Sequence, residues 1–484
     1  MLRWSGVLLM ILATSASARE VIVGSKVFTE SVILAELATQ LLDARGIETV
    51  HRRELGGTSV LWSGMLRGDI DCYPEYTGTL RGEVLASKSL QSDAQLREAL
   101  AQMGVWASGS LGFDNTYVLG MRKDVAQRLS IVRMSDLAQH PELRFGFSNE
   151  FMRRADGWPG VKQAYGLPQS DVRGMQHDLA YRALVSGAID VTDLYATDAE
   201  IAHYDLFALP DDRRFFPNYD AIFVCRSSVA EDVKQVLQSL ENAIDAQTMA
   251  GLNAQAKLDR LDERYVAQRF AVERFDVTTS AGLDTRMSRI WQRTREHLGM
   301  VAVSLVAAIV IAVPLGIAAY RNRNVARVAF AIADVLQTVP ALALLVFLIP
   351  WLGIGYGPAI AALFLYSLLP ILRNTHAGLA DIGRDLRESA EALGLSPAAQ
   401  LRYIELPLAA RSIIAGIRTA AVINIGTATL GALIGAGGYG QPILAGIRLD
   451  DLGLILEGAI PAALLALLAQ GLFGVLERRL VKAK

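Results

Sequence analysis

The chain has 484 residues, 52% hydrophobic and 20% charged, with a mean hydropathy of +0.30 and a formal net charge of −2. That hydrophobicity excludes a disordered chain, and the near-neutral balance excludes a nucleic-acid partner held by bulk charge. Two cysteines, Cys72 and Cys225, are too few for a disulfide framework or a four-thiolate zinc site. At about 150 residues per domain, the length allows roughly three domain-sized units. Apolar residues are unevenly placed: 19–296 reads as ordinary soluble protein, whereas 298–477 is dominated by long uncharged runs. Half of the chain is soluble and half belongs in a membrane.

Residues 1–18 read as a signal peptide. Arg3 supplies the positive end, 4–13 the short apolar stretch and Ala16-Ser17-Ala18 the small-residue cleavage site. The alternative is an uncleaved anchor; either way residues 19 onward are exported. That compartment permits a bond between Cys72 and Cys225. Two lone cysteines are more often simply buried, and no bond is expected.

From Glu20 the pattern is strand, helix, strand, repeatedly. Val21-Ile22-Val23 reads as a buried strand, 30–44 has helical spacing of apolar residues, and Gly68-Asp69-Ile70-Asp71-Cys72-Tyr73 enters a second strand. The grammar recurs at 143–147 (strand), 179–186 (helix) and 188–194 (strand). Leu184-Val185-Ser186-Gly187-Ala188-Ile189-Asp190-Val191 echoes Met65-Leu66-Arg67-Gly68-Asp69-Ile70-Asp71-Cys72. Two similar α/β units predict two lobes over 19–275, with a ligand cleft between them and hinge closure around the ligand.

Catalysis finds little support. The chain contains no HExxH, GxSxG or GxxxxGK[ST], and its six histidines lack metal-ligand spacing. One GxGxxG, 435–440, follows an apolar membrane-type run instead of a strand, which argues against a dinucleotide site. The exported part is better read as a binder than as an enzyme, with no cofactor or metal of its own.

Several stretches carry a specific resemblance: Gly24-Ser25-Lys26-Val27-Phe28-Thr29-Glu30, Leu55-Gly56-Gly57-Thr58, Tyr73-Pro74-Glu75-Tyr76-Thr77-Gly78-Thr79, Gly112-Phe113-Asp114-Asn115-Thr116-Tyr117, Asp193-Leu194-Tyr195-Ala196-Thr197-Asp198 and Phe215-Phe216-Pro217-Asn218-Tyr219. Together they resemble the substrate-binding proteins of glycine betaine/choline/carnitine ABC importers, with Val27 where that family usually has Asn. The resemblance implies an aromatic cage of Tyr76, Tyr117, Tyr195 and Tyr219. A trimethylammonium group cannot donate a hydrogen bond, so electron-rich ring faces recognise it instead, at about 0.5–2 kcal/mol each. Composition alone does not distinguish these four from Tyr73, Tyr165, Tyr181, Tyr204 or Tyr265. Arg154, within the family-like stretch 150–157, either clamps a carboxylate bidentately or forms a surface or interlobe salt bridge. Thr77 and Asn115 are candidate hydrogen-bonding neighbours, and Ser25 and Thr58 candidate cleft residues near predicted helix starts.

After a polar joint at 276–296, apolar spans are predicted at 298–319, 325–352, 357–372, 409–437 and 452–476. Asp334 and Gln337 interrupt the second, where Pro340 should also kink it; both polar residues are expected to face protein. Arg321, Arg323 and Arg327 follow the first span, Arg373, Arg384, Arg387 and Arg402 the third, and Arg478, Arg479, Lys482 and Lys484 the fifth. The loops near Ile354 and Ile447 carry almost no basic residue, Arg448 excepted. The positive-inside rule then puts the binding domain outside and the C-terminus in the cytoplasm.

The cytoplasmic loop, 373–408, contains Glu388-Ser389-Ala390-Glu391-Ala392-Leu393-Gly394 and then Ile404-Glu405-Leu406-Pro407. The spacing resembles the coupling motif of ABC importer permeases, with Ser389 the departure from its E-A-A core. The resemblance makes Glu388, Ser389, Ala390 and Gly394 the contact with a separate ATP-binding subunit, which uses the ATP. It also implies a permease homodimer. The fold expected is a two-lobed α/β periplasmic-binding-protein domain followed by an all-α polytopic permease domain (297–484) in the inner membrane. The function expected is import of a quaternary amine such as glycine betaine, carnitine, choline or an ergothioneine-like solute. A different small solute, or a ligand-gated receptor or channel, are the rival readings.

Overall fold

The computed structural model describes residues 20–88, 90, 92–277, 286–449 and 451–482. The predicted signal peptide lies outside the described residues, as does 278–285 of the joint. Ten strands build the soluble part: β1 (Val21–Gly24), β2 (Thr49–Arg52), β3 (Cys72–Tyr76), β4 (Val105–Ala107), β5 (Tyr117–Arg122), β6 (Phe145–Ser148), β7 (Val172–Met175), β8 (Val191–Tyr195), β9 (Leu206–Leu209) and β10 (Ala221–Arg226). They form two five-stranded sheets, ordered β2-β1-β3-β10-β4 and β7-β6-β8-β5-β9. In each, the first three strands are parallel and the fourth, β10 or β5, runs antiparallel.

The chain passes to the second lobe between β4 and β5 and returns with β10. The two crossovers touch at the antiparallel bridge Asp114↔Asp220, which marks the hinge. The echo between the lobes is structural. Gly68 ends helix α2 (Thr58–Arg67) with φ 85°, and Gly187 takes φ 74° after helix His177–Val185. Both adopt the left-handed conformation that ends a helix at little cost only for glycine, and both lead into a central strand.

The cysteines correct the sequence expectation. Cys72 and Cys225 are disulfide-bonded, with Cα atoms 4.1 Å apart across 153 residues of chain. The returning strand β10 pairs antiparallel with β3 and sets Cys225 opposite Cys72. Nothing in chain spacing shows that register.

Among the described residues of the membrane part, four helices are long and apolar enough to cross a bilayer, and a bent pair makes a fifth if its two helices count as one span. They are Arg286–Arg321, Tyr356–Ala380, Leu406–Thr427 with its short continuations, and Leu452–Lys482. The pair, Arg323–Thr338 and Ala341–Leu352, bends by 103°. The single second span expected is therefore broken. Pro340 has no N–H to continue the ladder, and it leaves Val339 extended. Asp334 pairs with Arg373 at 2.7 Å and Gln337 donates to the Tyr366 carbonyl, so both turn toward a neighbouring helix. The described half of the polar joint, 286–296, is helical and continuous with the first span.

Small residues let the spans approach. A Cβ on Gly316 would lie 2.7 Å from Thr375, and one on Gly378 2.6 Å from Ser412. Helix Tyr356–Ala380 is about 37 Å long, enough to cross the hydrocarbon layer. Its first end adjoins Ile354, which packs in one apolar cluster with Leu55, Leu61 and Met65 of the first lobe. Its other end leads to the loop 373–408. Binding domain and loop thus sit at opposite ends of the bundle.

Replacing Cys72 by Ser should lower binding-domain stability by about 2–5 kcal/mol, given the long loop released. Thermal unfolding with and without reductant checks this: reductant should destabilise the wild type and leave the variant unchanged.

Candidate functional site

The four tyrosines converge. Tyr76 ends β3, Tyr117 opens β5, Tyr195 ends β8 and Tyr219 stands just before β10. The strands' ends, where α/β lobes present their ligands, meet between the lobes. Tyr117 lies 5.2 Å from Tyr195 and 5.5 Å from Tyr219, centroid to centroid, the latter nearly edge-on. Gly78 makes room for Tyr219: a Cβ there would come within 2.5 Å of its ring. All four tyrosines and Asn115 line one small cavity.

Four further residues complete its wall, Lys26, Phe28, Thr79 and Glu150. Phe28 lies 6.1 Å from Tyr76 and 6.0 Å from Tyr195 and acts as a fifth ring. Lys26 and Phe28 were not singled out in the sequence. Their position just past the C-terminal end of β1 is the signal that could have found them.

Two cations flank the rings. The Lys26 ammonium sits 5.5 Å from the Tyr76 centroid and is paired with the fully buried Glu75. The Arg154 guanidinium lies 5.7 Å from the Tyr117 ring and 5.8 Å from that of Tyr219. Asp156 accepts two hydrogen bonds from Arg154, at 2.8 and 2.6 Å, and Glu83 of the first lobe pairs with it at 3.0 Å. Of the two roles read for Arg154, the interlobe salt bridge is the one formed here.

Other sequence candidates stand apart from the cavity. The Thr77 hydroxyl donates to the Asn218 carbonyl and accepts from the Asp220 N–H, tying the end of β3 to the returning crossover. The Ser25 hydroxyl meets His51 and the Glu54 N–H. Thr58 is buried at the start of α2. None of the three is among the cavity's lining residues.

Behind the rings lies a carboxylate that the sequence did not reveal as special. Glu30, the second residue of helix α1 (Thr29–Ala44), accepts from the Tyr76 hydroxyl (2.5 Å), Asn115 (2.9 Å), Thr197 (2.5 Å) and Asn253 (3.0 Å). Burial pushes its carboxyl above the usual range, against the pull of those donors. Burial likewise raises the cage phenols and keeps them neutral. His177 stacks on Tyr195 at 4.4 Å, with Asp198 at 3.0 Å and Asp193 at 3.6 Å. Burial alone would lower its imidazole, but the two aspartates raise it well above the ordinary value.

At the far end of the bundle, helix Arg384–Ala392 exposes Glu388 and Ser389 and buries Ala390. Gly394 takes φ +75° and ends it. Leu386 and Leu393 are exposed, the latter 79%, so an apolar face is left open. Arg387 ties the helix back to the spans through the Leu379 carbonyl, Glu405 and the Tyr320 ring.

Residues 19–273 match the family model for the substrate binding domain of the ABC-type glycine betaine transport system. Residues 285–482 match that for the binding-protein-dependent transport system inner membrane component. The chain belongs to the ABC-type glycine betaine transport family.

It joins the family's binding domain and permease in one multi-pass inner-membrane protein, which is a transporter and not an enzyme. The choline transport system permease protein of Bacillus subtilis is 42% identical over 201 residues, 42% of this chain and 93% of that one. The carnitine transport permease protein OpuCB of Listeria monocytogenes is 45% identical over 188 residues, 39% of this chain and 86% of that one. A solved structure described as a glycine betaine/carnitine/choline ABC transporter shares 30% identity and a TM-score of 0.46, covering 52% of this chain and 98% of that chain. ABC permeases work with an ATP-binding subunit.

Protonated His177 stabilises the domain fully below its unfolded pKa of about 6.5, and that contribution declines as pH climbs toward the raised folded value. Thermal midpoints should therefore fall on the alkaline side, and His177→Gln should flatten that dependence while lowering the plateau. A wild-type profile that declined only toward acid would contradict this.

Proposed function

We propose that the chain imports a zwitterionic quaternary-ammonium solute, glycine betaine or carnitine before choline. The observation that carries this reading is the tyrosine cage flanked by Lys26 and Arg154. A trimethylammonium on the ring faces has two cations of its own sign nearby, each already paired with protein carboxylates. A solute that also brings a carboxylate can pair with one of these cations in place of a protein carboxylate. Arg154, held by Glu83, Glu150 and Asp156, exchanges one of these carboxylates for that of the ligand. Glu150 in the cavity wall favours a bare cation such as choline, and makes choline the second reading.

In this reading the binding domain faces outward, captures the solute and closes on it, while the C-terminus lies in the cytoplasm. Glu388, Ser389 and Gly394 meet a separate ATP-binding subunit, which consumes the ATP, while buried Ala390 packs the helix against its own chain. Two copies of the chain form the pore with two such subunits, since one permease domain supplies half of a translocation path.

Calorimetry on the purified full chain with glycine betaine, carnitine, ergothioneine, choline and proline tests the substrate class. A zwitterionic trimethylammonium should bind tightest. Tyr117→Ala and Tyr195→Ala should each weaken it by about 2- to 30-fold, the range of one cation–π contact. Silence across all the quaternary amines would overturn the substrate class and leave the importer.

A further inference from the structure

Arg448 breaks the charge pattern of its loop, and neither the cage nor the coupling helix accounts for it. It closes helix Gly440–Arg448 of the permease and is only 7% exposed. Its guanidinium reaches out of the permease altogether. It pairs with Glu54 and, at 2.7 Å, with Glu263, and donates to the Thr29 hydroxyl at 2.6 Å. All three partners belong to the binding domain.

The site is built for it. Glu54 has a left-handed backbone, φ 58°, with its N–H held by the Ser25 hydroxyl at 3.1 Å. A non-glycine residue kept there is strained, and such strain persists only where the surroundings enforce it. Glu263 also receives Arg53, which continues to Glu36. The third partner, Thr29, is the residue before Glu30 at the start of α1. Two adjacent residues therefore face opposite ways in function: Thr29 meets the permease, and Glu30 holds cage residue Tyr76 together with Thr197 of the second lobe.

We propose that Arg448 is the contact through which the permease distinguishes the closed, ligand-filled cleft from the open one. Opening the cleft withdraws Thr197 from Glu30 and releases the start of α1. The three-acceptor site for Arg448 is then complete only in the closed state. Arg448 is a positioning residue that never touches solute, and its role rests on the importer reading above.

The test uses the full chain with its ATP-binding subunit in proteoliposomes and glycine betaine as probe. Arg448→Gln should keep the glycine betaine Kd within about threefold of wild type, while betaine-stimulated ATP hydrolysis and uptake fall about tenfold or more, a typical coupling strength. Arg448→Lys, which keeps the charge, should recover part of the stimulation, and Thr29→Val should fall between. Wild-type stimulation in Arg448→Gln would overturn the proposal, as would Kd and stimulation declining in parallel in all three variants. A wild-type chain that binds glycine betaine but shows no stimulation would instead sink the importer reading itself.

Discussion

A carboxylate taken out of water must find its hydrogen bonds within the protein, and Glu30 finds four, each from a different part of the binding domain. Tyr76 belongs to the cage, Asn115 to a crossover, Thr197 to the second lobe and Asn253 to helix Ala246–Lys257. Two of these donors, Tyr76 and Thr197, come from opposite lobes, so Glu30 ties the lobes together. The same bonds orient the cage. The Tyr76 hydroxyl is anchored behind the cavity, which leaves its ring face toward Phe28 and the ligand space. Tyr219 is anchored likewise through Asp156 at 2.5 Å. Polar demand is met behind the rings, so that ring faces are what the cleft offers.

Charge around the cage follows a matching logic. Lys26 is balanced by Glu75, and Arg154 by Asp156 and Glu83. Each cation thus lies near an aromatic face and is held there by carboxylates. A solute that is itself neutral overall but locally charged can exchange partners with these pairs without leaving a buried charge exposed. A large net charge on the ligand would unbalance them.

Much of this was legible in the sequence, for identifiable reasons. Repeated glycine-ended helices announced two lobes, because glycine at a left-handed helix end has a local cause. The four tyrosines were legible through their motifs, and Pro340 through its missing N–H. What escaped depends on distant chain segments meeting. The Cys72–Cys225 bond follows from the register of a strand that returns after 153 residues. Glu30 looks like any acid at a helix start until four donors are brought to it. Asp334 and Gln337 could be assigned to protein contact by the cost of burying them in lipid, but their partners could not be named. Arg448 was visible as an anomaly of charge, and its meaning needed the seam between the domains.

That seam is also where joining two domains in one chain changes the physics. A tethered binding domain meets its permease at an effective concentration in the millimolar range when the connection is short and flexible. Docking then needs little intrinsic affinity, and a buried ion network is a poor source of it, since desolvation consumes most of the Coulomb attraction. The apolar contact of Leu55 and Met65 with Ile354 and Ile434 is better suited to holding the domains together. What the network of Arg448, Glu54, Glu263 and Arg53 adds is intolerance of misplacement: a buried guanidinium that loses an acceptor is costly, whereas an apolar patch that shifts by an ångström is not. The seam thus divides into a greasy part that keeps the domains in contact and an ionic part that is exacting about their state. A fused importer, whose binding domain never leaves, has most use for the second.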